Sequence, residues 1–278
     1  MRFKRLISTA LALVFAPIAA FAQVPIDGGI NFQEAATPVM EATIKFHNFV
    51  FWLMVAVVVF VMILMAFIMF RFSEKRNPVP SKTTHNTMIE VVWTIVPVII
   101  LLVMVVPSMQ LLRMQDVIPE SDMTIKVTGN TWNWEYAYPD YENVDSIISN
   151  YLLEDDAKAA GKPYLLGTDA PLVVPVDTTV KVLVTSSNNL HSFAVPSFGV
   201  KIDAIPGKIN QTWFKVTKEG TFYGQCSELC GLKHAFMPIE VEVVSKDAFR
   251  QWVASDGAFS TSSASNNSGG VATATAPK

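Results

Sequence analysis

The spacing of apolar residues divides the chain. Two long unbroken blocks come first. From Asn48 to Phe70 there is no charged side chain. Those 23 residues reach about 34 Å as a helix at ~1.5 Å per residue, enough for a bilayer core of ~30 Å. Thr37-Pro38 predicts the start of this helix. Thr serves as N-cap, and Pro takes the first helical position, where its missing N–H costs nothing. Arg71 ends the span. A second apolar run extends from Ile89 to Leu112 and contains Pro97 and Pro107, which membrane helices tolerate because neighbours satisfy the freed carbonyls. The predicted helices cover about 38–72 and 86–114.

From Asp122 the period shortens to two. Ile125 and Val127 alternate with polar neighbours. Val180, Val182 and Val184 alternate with Thr179, Lys181 and Thr185, Leu183 being the exception. Ile239, Val241 and Val243 alternate with Glu240 and Glu242. Prolines and glycines punctuate these runs, among them Pro171, Pro175, Pro196, Gly199, Gly220 and Gly224. Short alternating strands with turn signals predict an all-β sandwich or barrel. Between Asp140 and Asp169 lies an acidic insertion with weak strand signal and a short helix expected around Leu152 to Ala160.

Composition and charge add a location. Of 278 residues, 51% are apolar, much of that in the two blocks, which is a membrane-protein profile. The connection between the blocks carries Arg71, Lys75, Arg76 and Lys82 against Glu74, so it is expected on the cytoplasmic side. The segment before the first helix and everything after Arg113 then lie outside. The first residues predict the same orientation independently. Arg2, Lys4 and Arg5 precede an apolar stretch from Leu6 to Ala20, and Ala20-Phe21-Ala22 resembles an export cleavage site. The expected organisation is a signal peptide (1–22), an N-terminal segment with a transmembrane hairpin (23–115), an outer β domain (116–252) and a disordered Ser/Ala/Asn/Gly/Thr-rich tail (253–278).

Candidate chemistry is concentrated in Cys226-Ser227-Glu228-Leu229-Cys230-Gly231-Leu232-Lys233-His234-Ala235-Phe236-Met237, which holds both cysteines of the chain. Thiolate, imidazole and thioether together are a soft ligand set that suits copper, and two thiolates this close can bridge two ions. The residues alone leave rival chemistries open. A disulfide is permitted outside the cytoplasm but leaves His234 and Met237 unexplained. A structural zinc site would use two Cys and two His and has no use for Met237. A membrane-tethered copper-delivery protein would also carry such a cysteine pair, on a thioredoxin-like α/β scaffold. His191, in Leu190-His191-Ser192-Phe193 after the strand around Val180 to Thr185, is the candidate for a further ligand.

The stretches His191-Ser192-Phe193-Ala194-Val195-Pro196, Lys201-Ile202-Asp203-Ala204-Ile205-Pro206-Gly207 and Tyr223-Gly224-Gln225-Cys226-Ser227-Glu228-Leu229-Cys230-Gly231 resemble subunit 2 of cytochrome c oxidase in its bacterial, CuA-containing form. The resemblance runs from the first membrane helix to about Trp252. It implies a two-helix anchor in the bacterial inner membrane and an outer cupredoxin-like Greek-key barrel with a binuclear copper centre. It implies Cys226 and Cys230 as bridging thiolates, His191 and His234 as one ligand to each copper, Met237 as a weak axial ligand and the Glu228 backbone carbonyl as the other. The Glu228 side chain would reach a magnesium ion at the boundary with subunit 1. A quinol-oxidising relative of the same fold would lack both cysteines and His234.

The same resemblance assigns roles outside the loop. Trp132, in the aromatic stretch Thr131-Trp132-Asn133-Trp134-Glu135-Tyr136-Ala137-Tyr138, would be the exposed residue where electrons arrive from cytochrome c. On a regular strand Trp132 would share a core face with Trp134, Tyr136 and Tyr138, so the strand must be irregular there. Glu90 opens an otherwise apolar helix, which makes it a functional candidate. Its plain alternative is an interfacial carboxylate in water. The resemblance puts it, ahead of Trp93, at the cytoplasmic mouth of a proton path, with His85 as a weaker helper. From Arg113 to Arg250 there are 18 acidic and 12 basic residues, a bias that would steer a cationic cytochrome c. Asp140 matches an acidic docking position, while Ala137, Asn143 and Asn189 stand where some relatives carry acids. Expected partners are cytochrome c, oxidase subunit 1 with its haem and copper, subunit 3 and lipid, and no nucleic acid. The implied activity is transfer of electrons to subunit 1 for reduction of oxygen to water, coupled to proton pumping.

Overall fold

The computed structural model describes residues 24–26 and 28–258. The expected signal peptide at 1–22, and the tail beyond Ala258, lie outside the described residues. Two long helices come first, α1 (Pro38–Arg71) and α2 (Thr87–Asp116). Thr37 caps α1 as expected: its Oγ1 accepts from the Met40 amide at 3.1 Å. Asn86 caps α2 through the Ile89 amide at 3.2 Å. Each cap satisfies an amide that the first helical turn leaves without a partner. Apart from Val39 and Met40 at the start of α1, which are buried, most of the large apolar side chains along both helices are exposed, and both helices are long and apolar enough to cross a membrane.

Ten strands follow. They are β1 (Met123–Asn130), β2 (Asn133–Ala137), β3 (Ile147–Ser149), β4 (Leu172–Pro175), β5 (Thr179–Ser186), β6 (His191–Val195), β7 (Val200–Ala204), β8 (Asn210–Lys215), β9 (Gly220–Gln225) and β10 (Pro238–Val244). A short helix α3 (Glu154–Ala159) interrupts the insertion, and α4 (Lys246–Ala254) follows β10. One sheet has the order β3-β2-β1-β5-β8, a second β4-β10-β9, and β6 and β7 form a hairpin. The sheets enclose one core, in which Ile125, Val127, Trp134, Val182, Phe193, Phe198, Phe214, Phe222 and Ile239 are all buried. Each such side chain contributes roughly 1.5–3 kcal/mol by leaving water. The Tyr138 hydroxyl sits between the sheets, donating to the Val173 carbonyl at 2.9 Å and accepting from its amide at 3.0 Å. The architecture is the expected one, a two-helix anchor followed by a β-sandwich.

The period of two is kept in β5, where Val180, Val182 and Val184 point inward. Leu183, the exception, sits half-buried on the outer face between Lys126 and Gln211. In β10 the alternation fails to describe burial. Glu240 is only 3% exposed, because the insertion folds over that face. Its carboxylate meets Lys162 Nζ at 3.0 Å and accepts from the Thr168 amide at 2.7 Å. A buried carboxylate needs such partners to offset lost hydration.

The segment before α1 is pinned to the sandwich. The Ala36 amide donates to Ser197 O at 2.9 Å, Thr217 donates to Ala36 O at 3.0 Å, and Thr37 Oγ1 donates to Phe198 O at 2.7 Å. Phe198 itself packs 5.0 Å from Phe214 and 5.1 Å from Phe222, so the helix start is tied to the core. At the other end of the hairpin, Trp213 Nε1 donates to Met114 O at 3.1 Å. The start of α1 and the end of α2 therefore meet the same domain, with the basic connection at the far end.

Folded chain also continues past Trp252, although composition predicts the low-complexity tail from 253. The carbonyls at the end of α4 need partners, and later residues supply them. Ser255 donates to Gln251 O, Asp256 to Val253 O and Gly257 to Trp252 O, each at 3.0 Å. Asn143 Nδ2 binds Val253 O at 2.6 Å as well.

Candidate metal centre

Two strand ends and one loop build the site. β6 begins at His191, which is fully buried. Its ring fits because β1 carries Gly129 beneath it: a Cβ there would lie 2.9 Å from His191 Cδ2. β9 delivers the cysteine loop. Its Gly224 backs onto β6 so closely that a Cβ would lie 2.0 Å from Ala194 O. Contact of this kind, backbone on backbone, is available only to glycine. The contact continues past the strand, where the Ser227 amide donates to Ser192 O at 3.0 Å. The loop closes on itself through Cys226 N to Met237 O at 3.0 Å, which carries the chain directly into β10.

The donors converge. Cys226 Sγ lies 3.8 Å from Cys230 Sγ and 3.8 Å from His191 Nδ1. Cys230 Sγ lies 3.5 Å from His234 Nδ1. The Glu228 carbonyl is 3.3 Å from Cys226 Sγ. Met237 is 1% exposed and His234 is half-buried in a turn of 3-10 helix, His234–Phe236. Ligand atoms of His191, Cys226 and Cys230 lie within 4.8 Å of one another, and His234 stands outside that mutual group, on the Cys230 side. Both cysteines are free; a disulfide would need sulfurs ~2.05 Å apart. The donor set of two thiols, two imidazoles, a thioether and a carbonyl fits copper.

Electrostatics prepare the donors. Burial, and then the nearby His234, hold His191 below the usual imidazole range, which favours the neutral form of the ring that a metal needs. Burial and the neighbouring Cys226 push the Cys230 thiol up to about 12. A cation that binds there has to displace that proton, since the thiolate is the ligand. The β-sandwich around the loop differs from the thioredoxin-like scaffold that the delivery alternative requires.

Trp132 lies outside β2, in the turn that joins it to β1, and is half-buried. Its Nε1 donates to Cys230 O at 3.1 Å, and its ring faces Gly231. The expected irregularity is thus a strand that starts one residue later. Trp134, Tyr136 and Tyr138 are core residues, and Trp134 meets the His191 ring edge-on at 6.0 Å. The Glu228 side chain is exposed. Asp140 is exposed, with one oxygen engaged by the Thr124 amide at 2.6 Å. Glu90 is not brought to this site. It lies in the first turn of α2, about 36 Å of helix away from Met114 at ~1.5 Å per residue. His85 is exposed, just ahead of that helix.

Sequence reasoning missed several residues that shape the centre. Asn189 Nδ2 reaches Cys230 O at 3.5 Å, and Asn188 Oδ1 lies 3.5 Å from His191 Nε2. Gly224, expected as punctuation between strands, lies inside β9, and Gly129, which was not singled out, lies inside β1; a glycine within a strand marks a close approach.

Comparison with known proteins places the chain in a family. The family model described as cytochrome c oxidase subunit II, periplasmic domain, matches residues 123–244, and that for the transmembrane domain matches residues 25–111. A probable cytochrome c oxidase subunit 2 of Rickettsia prowazekii is 50% identical over 84% of this chain and 74% of its own. Cytochrome c oxidase subunit 2 of Cereibacter sphaeroides is 42% identical over 82% of this chain and 80% of its own. The crystal structure of the periplasmic domain of subunit II of cytochrome oxidase of Bradyrhizobium japonicum is 50% identical, covering 50% of this chain and 96% of that one, with a TM-score of 0.46. Helical anchor and β domain each match their own part of one family, and half-identical relatives extend across the join: this chain belongs to the cytochrome c oxidase subunit 2 family.

Proposed function

We propose that Cys226, Cys230, His191, His234, Met237 and the Glu228 carbonyl hold two copper ions as a CuA centre. Electrons arrive from cytochrome c at Trp132 and leave for haem in oxidase subunit 1, where oxygen is reduced to water with coupled proton pumping. The observation that carries the pair over a single ion is the layout of the donors. Each thiol has its own imidazole, at 3.8 Å and 3.5 Å, while the two sulfurs sit 3.8 Å apart. Bound there, the copper pair supplies a one-electron acceptor. The protein's own residues keep it rigid and dry: His191 and Met237 are buried, and the Cys226 amide ties the loop shut.

Trp132 suits the receiving role because it is both half-exposed and hydrogen-bonded to a ligand residue. Leu190, Leu229 and Leu232 stand exposed on the same loops, the last at 89%. Exposed apolar side chains on a domain with an excess of acidic residues suit a transient cationic partner. Glu228 offers its carbonyl to the cysteine side while its carboxylate is exposed, an arrangement compatible with a magnesium ion at subunit 1, since that hard cation prefers oxygen. This chain has four histidines, too few to build an oxygen site as well. The family, the basic connection and the export-like N-terminus support an inner-membrane location with the copper domain on the periplasmic side.

The full chain in detergent, loaded with copper, should bind two ions and show the seven-line hyperfine pattern of a delocalised mixed-valence pair. One ion per chain, or a localised four-line signal, would reject the pair. Glu90→Ala in the assembled oxidase is expected to slow proton uptake roughly tenfold to a hundredfold; uptake at the normal rate would leave Glu90 as an interfacial carboxylate.

A further inference from the structure

His234 and His191 are held in different ways. His191 is buried in a strand, whereas His234 is half-buried on a short turn. The residues that bracket His234 rest on one ring. Lys233 Nζ lies 5.5 Å from the centroid of Tyr151, and Phe236 meets the same ring edge-on at 5.5 Å and 63°. Both geometries are attractive, the ammonium over the π face and the aromatic pair edge to face.

Tyr151 does not belong to a sandwich strand. It starts the return of the acidic insertion, and that return is fastened. Tyr151 bridges Thr168. The Asn150 amide donates to Asp169 Oδ1 at 2.7 Å, and the Asp169 amide donates to Asn150 O at 3.1 Å. Thr168 is buried, and its amide donates to Glu240 Oε2 at 2.7 Å. Lys162 reaches both Glu240 and Thr168 O, the latter at 2.8 Å. Glu240 stands in β10, three positions after Met237. A continuous set of contacts therefore runs from β10 through Glu240, Thr168 and Tyr151 back to Lys233 and Phe236, on either side of His234.

We propose that segment 150–169 is a strap and that Tyr151 is a positioning residue for the loop ligands His234 and Met237. The inference rests on the copper assignment above. Its physical content is restriction of the 233–236 turn: with Phe236 and Lys233 both on the Tyr151 ring, the turn cannot lift without breaking two contacts together. The ring is what matters, so Phe should replace Tyr and Ala should not.

The test uses the full chain in detergent. In the metal-free protein, Tyr151→Ala should speed amide exchange in the 233–237 turn roughly tenfold, the cost of two aromatic contacts. Peptides from β1 and β5 should exchange as in wild type, which shows that the sandwich is folded. In the copper-loaded protein, release to a chelator should accelerate by roughly the same factor, and the reduction potential should shift. Tyr151→Phe should restore all three quantities, and Lys233→Met should give a smaller change. Unchanged exchange in the turn, wild-type copper release, or a Tyr151→Phe variant as impaired as Tyr151→Ala would each overturn the proposal. Failure of the copper assignment would show instead in the wild-type spectrum, and it leaves the metal-free exchange result readable.

Discussion

Replacing Trp132 with alanine is expected to slow reduction of the centre by cytochrome c by roughly 30- to 1000-fold, the span that truncation of a buried aromatic anchor commonly costs an interface. The copper spectrum should persist, because Trp132 contributes no donor atom; its link to the centre is the hydrogen bond from Nε1 to Cys230 O at 3.1 Å. Trp132→Phe divides the role. It keeps an aromatic face for the partner but loses the hydrogen bond, so an intermediate rate is expected. Stopped-flow reduction of the assembled oxidase, at low and high ionic strength, is the measurement. Salt should slow the wild type by screening the acidic surface, and the Trp132 effect should survive at both. A wild-type rate in Trp132→Ala would remove this residue from the path and redirect attention to the exposed leucines.

The second large effect lies at Gly224. Alanine there would put a methyl group 2.0 Å from Ala194 O. A backbone carbonyl cannot rotate away as a side-chain tip would, so β9 must separate from β6. Overpacking of this kind costs typically 1–3 kcal/mol, and occasionally more; with backbone on both sides the expected loss is roughly 3–5 kcal/mol. Function should suffer along with stability. β6 brings His191 and β9 brings Cys226, so separation of the two strands widens the 3.8 Å gap between those two candidate donors. Denaturant unfolding of the full chain in detergent, with copper counted per chain, tests both parts. A loss below about 1 kcal/mol with two ions still bound would show that the strands adjust without moving the ligands.

Much of this chain was legible from pattern. The two helices follow from uncharged apolar length, and the start of the first from Thr37 as a cap, since a helix start is a local event; the Asn86 cap of the second was not singled out. The inward faces of β1 and β5 follow from alternation, since a strand exposes its side chains by turns. The cysteine loop was legible because its donors are close in sequence, and His191 because it follows the strand around Val180 to Thr185 beside an incomplete donor set. Burial of Glu240 was not legible. Alternation says which side of a strand a residue faces, never what covers that side, and the cover comes from Lys162 and Thr168 far away in the chain.

By itself, then, the sequence determined the anchor, the β period and the chemical nature of the donors, because each depends on residues within a few positions of one another. Tertiary structure alone decided how the donors meet. Gly224 lets β9 lie against β6, Gly129 leaves room for the imidazole of His191, and a turn before β2 swings Trp132 from the core to Cys230. It also decided what lies against the turn around half-buried His234, by folding an insertion over β10 so that Tyr151 reaches Lys233 and Phe236. These contacts join residues tens of positions apart, where local propensity carries no information and only the shape of the packed chain selects the partner.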